Sequence, residues 1–130
     1  MSPEEFFEWL KASALEACQK YGLPASCLLA QGAIESGWGQ YTIGQFNLFG
    51  RKWGGWGNYI ELPTNEWDGS QYVDIVAKFQ DYDSLEQACE DWCELMLWGP
   101  YEQFGRQYQS DHDLETFVRG IAAVYATGPD

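Results

Sequence analysis

The chain has 130 residues, 17% of them aromatic, and seven basic side chains against twenty acidic ones give it a formal net charge of −13. That length lets one domain, residues 1–130, bury a core without staples. The charge argues against a nucleic-acid partner, whose phosphates demand Lys and Arg, and against electrostatic attraction to an anionic surface, so recognition must rest on stacking and hydrogen bonds to neutral groups.

Ser2-Pro3-Glu4-Glu5 reads as a helix start, with Ser2 as cap, Pro3 in the first turn and Glu5 closing a capping box. Phe7, Leu10, Ala14, Cys18 and Tyr21 recur on one face, and Gly22 stops the helix. The acidic start is not that of a signal peptide, and no stretch approaches the roughly 20 apolar residues of a membrane span. A second helix restarts at Leu23-Pro24-Ala25-Ser26, with Leu28, Leu29, Ala33 and Ile34 as its buried side. It carries Glu35 in its last turn, where the helix dipole disfavours an anion. If Trp38 and Phe49 wall that carboxyl in, desolvation favours the neutral acid, the form a general acid needs. The bland alternative is a solvated glutamate near a helix end. The Gly37-Trp38-Gly39 turn that follows counts against it, because glycines allow a sharp turn and close approach of another chain.

From Gly37 to Gly69 helical periodicity is lost to glycines, aromatics and asparagines. Tyr72 to Phe79 alternates, with Val73, Ile75, Ala77 and Phe79 on one face, which predicts a half-buried strand. It pairs with a shorter strand around Asn58 to Leu62, leaving Pro63 to Ser70 as the connection. A third helix starts at Ser84, with Leu85, Ala88, Cys89, Trp92 and Met96 as its stripe, and ends at Gly99-Pro100. Tyr101 to Gln109 forms a short helix, and Asp113 caps a final one with Leu114, Phe117, Val118, Ile121 and Tyr125 inward. The fold class is α+β, mainly helical with a small β-hairpin lobe. Cys18, Cys27, Cys89 and Cys93 read first as reduced core residues, then as one or two disulfides such as Cys18 with Cys27, and last as a zinc site. His112 stands alone in an acidic loop and supports no catalytic triad, and no phosphate loop or metal-binding carboxylate loop is present in the sequence.

The segments IESGWG and FNLFG resemble the glucosaminidase family of peptidoglycan hydrolases, glycoside hydrolase family seventy-three, which includes the hydrolase domains of flagellar rod proteins and many autolysins. PTNEW, FQDY and VYATGPD resemble that family's later blocks in order, so the likeness runs from about Leu23 to the C-terminus. The resemblance implies a lysozyme-like fold with the hairpin lobe flanking a cleft. It implies Glu35 as the catalytic acid and Glu66 as a second carboxylate, with Asp68, Glu61 and Asp74 as neighbouring substitutes. Glu66 would activate water or steady charge, its hairpin closing toward Glu35 between the glycine-rich flanks at Gly54, Gly55, Gly57 and Gly69. The substrate's own acetamido group is a further candidate nucleophile.

By the same resemblance Tyr125 lies near the acid, although Gly128 stands where the family commonly has an aspartate. Asn47 and Phe49 fall beside the cleft, where Asn47 either binds an N-acetyl group or fixes its own turn. Trp38 buttresses the acid. Trp53, Trp56 and Trp67 lie among glycines and polar residues, where indoles either stack on sugar rings or pack locally. Phe79 and Tyr82 look structural.

The expectation is a cofactor-free, monomeric endo-β-N-acetylglucosaminidase acting on peptidoglycan glycan strands, with no metal site. A muramidase or a lytic transglycosylase on the same architecture is the near alternative, and a non-catalytic wall-binding module is the distant one. Action on the wall without a signal peptide suggests a phage lysin, a secreted effector or a fragment of a larger protein.

Overall fold

In the computed structural model, which describes residues 1–126, Ser2 starts the first helix as its chemistry requires. Its Oγ accepts from the Glu5 N–H at 3.1 Å and its own N–H donates to the Glu5 carboxylate at 2.9 Å. Helix α1 runs Pro3–Tyr21 and ends on Gly22 at φ 70°. Helix α2 is Ala25–Ser36, α3 Leu85–Met96, α4 Glu102–Asp111 and α5 Leu114–Ala126, with a single 3-10 turn, Gly99–Tyr101, before α4. Strands β1, Asn58–Trp67, and β2, Tyr72–Asp81, form one antiparallel hairpin. The α+β architecture is the expected one.

Helix α1 packs against both α2 and α3, and α4 packs against α5. The core gathers Phe6, Leu10, Ala14 and Cys18 with Leu28, Leu48, Trp92, Met96 and Phe117. The buried face of α1 therefore begins at Phe6. Phe7 is 36% exposed and turns its ring edge to Trp38 at 5.5 Å. At 100° per residue the two phenylalanines cannot share one direction, and Phe6 lies in register with Leu10 and Ala14.

The hairpin is longer than the sequence suggests. Pro63 to Trp67 continues β1, with Glu66 opposite Val73 and Trp67 opposite Tyr72. In a two-stranded sheet every strand is an edge, so Pro63 can direct its missing N–H outward without losing a ladder bond. The turn is closed by Asp68, whose Oδ1 accepts from the backbone N–H groups of Ser70 at 2.8 Å and Gln71 at 2.9 Å. Two buried amides anchor the loop between helix and hairpin. Asn47 Nδ2 donates to the carbonyls of Arg51 and Gln80 while its Oδ1 accepts from the Arg51 N–H. Gln80 accepts from the Gly54 N–H and donates to the Trp56 carbonyl.

The four cysteines are free. This is the first of the three readings, reduced cysteines, and the sulfurs of Cys18 and Cys93 approach to 3.8 Å across the α1–α3 contact. No cluster suited to a metal ion is found among the described residues. Burial pushes the Cys27 thiol up to about 11 and the Cys89 thiol up to about 12. Only the thiolate is nucleophilic, so alkylation of the native protein near about pH 8 should be slow, with half-buried Cys27 reacting first. Peptide mass mapping checks this. Fast native labelling of Cys89 or Cys93 would contradict it, and unfolding should release all four.

Candidate active site

Helix α2 delivers Glu35 to its C-terminal turn, where no basic residue stands to offset the helix dipole. The turn after it is locked by Ser36, which is fully buried. Ser36 Oγ donates to the Gly32 carbonyl at 2.6 Å and accepts from the Gly39 N–H at 2.9 Å. Gly37 and Trp38 both take positive φ, 57° and 60°, which reverses the chain at once. Gly32, one turn before Ser36, has to be small. A Cβ there would lie 3.3 Å from Leu10 and 3.6 Å from both Leu48 and Phe49. The FNLFG loop and α1 can therefore press against α2 beneath the acid.

Glu35 lines an open groove of about 520 Å³ between α2 and α5. Ile34, Leu114 and Val118 form apolar walls, and Tyr125 and Gln31 supply polar groups. Ile34 is 81% exposed, and Leu114 and Val118 are about half as exposed. Reading these three as core is thus corrected. They sit at helical spacing with residues that are buried, but the face they form borders the groove instead of another helix.

The expected enclosure of Glu35 by Trp38 and Phe49 is also corrected, since neither lines the groove. Trp38 sits edge-on to Phe6 and Phe7 of α1, and Phe49 is buried under Gly32. Both hold the corner that carries the acid. Asn47 is 1% exposed with its amide committed to backbone, which is the turn-fixing option of the two considered.

Glu66 lies on the half-buried face of the hairpin, in the row of Ile60, Leu62 and Thr64. It is ion-paired with Lys52, which bridges to β2 opposite Phe79. Its suggested substitutes are placed differently. Glu61 and Asp74 point to the outer face, and backbone N–H groups of Gln71 and Ser70 hold the Asp68 carboxyl below its usual range. The three loop and hairpin indoles each meet a tyrosine. Trp53 packs on Tyr59 at 5.1 Å, Trp56 on Tyr82 at 6.1 Å and Trp67 on Tyr72 at 5.2 Å. Trp67 and Tyr72 remain 59% and 73% exposed. Tyr82 is buried and donates to Asp91, which also accepts from Arg51, so its structural reading holds. Burial and the Asp91 carboxylate raise its hydroxyl well above the ordinary tyrosine range. His112 is exposed at the end of α4. Gly128 lies outside the described residues.

A family model described as glucosaminidase, mannosyl-glycoprotein endo-beta-N-acetylglucosaminidase, matches residues 11–130. The chain belongs to the glucosaminidase family. Among curated relatives of this glucosaminidase domain, peptidoglycan hydrolase FlgJ of Escherichia coli strain K12 is 37% identical, over 95% of this chain and 42% of that one. The protein of the same name from Vibrio parahaemolyticus is 33% identical, over 98% of this chain and 44% of that one. The chain thus spans less than half the length of these relatives. A solved structure of a C-terminally truncated glycoside hydrolase domain from Salmonella typhimurium FlgJ superposes with TM-score 0.62 at 33% identity, covering 75% of this chain and 74% of that one. The glucosaminidase fold, of lysozyme-like type, agrees with the expectation.

Sequence reading missed Gln31, Ile34, Leu114 and Val118 as groove residues. One signal was available: α2 carries apolar residues on more of its circumference than a single buried stripe requires.

Proposed function

We propose that this glucosaminidase domain hydrolyses the β-1,4 glycan backbone of peptidoglycan, with Glu35 as general acid. The observation that carries this is Glu35 itself, set at the C-terminal turn of α2 in the wall of an open, largely apolar groove. Cleavage needs a proton on the leaving oxygen and support for an oxocarbenium-like state. Glu35 supplies the proton. Ile34, Leu114 and Val118 offer apolar contact to a sugar ring without charge, consistent with a protein too acidic to attract an anionic wall. The relatives are peptidoglycan hydrolases by name, which supports the substrate class. Action on the cell wall follows from that substrate.

Glu66 is the proposed second carboxylate, because it alone of the hairpin candidates shares the half-buried face. Its pair with Lys52 is partly exposed on both sides, so breaking it costs only ~0–1 kcal/mol, and substrate can displace the lysine. Glu66→Gln should lower kcat by about 10²-fold with little change in KM, and unchanged turnover would remove Glu66 from the chemistry.

Digestion of purified peptidoglycan with product masses tests the whole reading. A reducing-end N-acetylglucosamine product supports it. A reducing-end muramic acid would make the domain a muramidase, and an anhydro-muramyl end would make it a lytic transglycosylase.

A further inference from the structure

Gln31 lies one helical turn before Glu35 and lines the same groove. Its amide connects two other helices. On one side the Trp92 indole of α3 donates from Nε1 to Gln31 Oε1 at 2.9 Å. On the other, Gln31 Nε2 donates to the hydroxyl oxygen of Tyr125 on α5. The direction of this chain is fixed chemically. An indole N–H can only donate, and Trp92 is 1% exposed, so its ring is held in the core. The amide must therefore turn its carbonyl to Trp92 and its NH₂ to Tyr125. Tyr125 then receives a hydrogen bond at Gln31 and has to direct its own proton elsewhere. Packing against Tyr101, with centroids 5.7 Å apart, restrains the phenol ring.

We infer that Gln31 is a positioning residue which, with its orientation set by Trp92, makes Tyr125 a hydrogen-bond donor into the groove beside Glu35. The inference rests on the functional reading above for what the donor serves: an acceptor on the bound glycan or the carboxylate left once Glu35 has given up its proton. The polarity of the relay itself does not depend on that reading. A phenol able to point its proton either way loses part of its orientation each time it turns to a competing acceptor, and the Trp92–Gln31 pair removes one such acceptor.

Gln31→Glu tests this with almost no change of shape. Above the carboxylate titration range the introduced side chain is acceptor-only, so it accepts from Trp92 and also draws the Tyr125 proton out of the groove. We expect kcat to fall about tenfold, the size of one net hydrogen bond. The ratio of variant to parent activity should climb back as pH falls and the introduced carboxyl becomes protonated and able to donate. Simple repulsion predicts the opposite. A second negative charge one turn away would keep Glu35 protonated to higher pH and extend activity there.

Because the effect runs through one hydroxyl, the Gln31→Glu loss should vanish in a Tyr125→Phe background. Trp92→Phe, which frees the amide to flip, should give a smaller loss that is likewise absent without the hydroxyl, and thermal midpoints confirm folding. Unchanged kcat in Gln31→Glu, or a loss that persists undiminished in Tyr125→Phe, overturns the inference. The functional reading fails separately, if Glu35→Gln keeps full activity.

Discussion

Glu35→Gln should lower the release of peptidoglycan fragments by about 10²–10⁴-fold, the range for loss of a general acid, while leaving the thermal midpoint nearly unchanged. The amide fills the same space and keeps hydrogen-bonding capacity, but it has no proton to give to a departing sugar oxygen. Stability should hold because Glu35 is exposed at a helix end and contributes nothing to the core. Binding should survive, since the groove walls at Ile34, Leu114 and Val118 are untouched. The expected result is thus a folded variant that still sediments with the wall but does not cut it. Two outcomes would contradict the proposal. Full activity would remove Glu35 from the chemistry, and a parent that itself binds without turnover would make the domain a wall-binding module.

As the proposed acid, Glu35 is legible through its match to the family's IESGWG block, and two local features meet there: an apolar helical run ends, and a Gly-Trp-Gly reversal begins. Both are properties of adjacent residues. What surrounds the acid was not legible, because periodicity reports that a face is apolar and not what covers it. Val118 and Phe117 are neighbours in one amphipathic helix, yet Phe117 is 1% exposed and Val118 43%. Only the approach of α4 on one side and the groove on the other separates them. Trp38 shows the converse. It is adjacent to the acid in sequence, and its positive φ turns its ring onto α1. Gln31 gave no signal at all, since a lone amide on a helix has meaning only when an indole from α3 and a phenol from α5 arrive beside it.

Gly105→Ala should destabilise the domain, although helix propensity alone predicts the reverse. In a helix interior alanine is favoured over glycine by about 1 kcal/mol, and Gly105 lies within α4. The packing argument opposes this and is larger. A Cβ at Gly105 would lie 2.2 Å from the Met96 carbonyl oxygen and 2.9 Å from a Leu97 methyl. The first contact is with backbone, so no rotamer change relieves it, and α4 must move away from the end of α3. Overpacking of this kind costs ~1–3 kcal/mol or more, out of the ~5–15 kcal/mol that keep a small domain folded. A net loss of ~1–2 kcal/mol would lower the thermal midpoint by roughly 5–10 °C. The effect reaches the site through α5, which packs on α4 and carries Val118 and Tyr125 to the groove. Activity should therefore fall together with stability as temperature rises and recover in the cold, unlike the Glu35→Gln loss, which is the same at every temperature. A variant as stable as the parent would show that α3 and α4 can separate at no cost, and that the spacing set by this glycine does not hold the groove in shape.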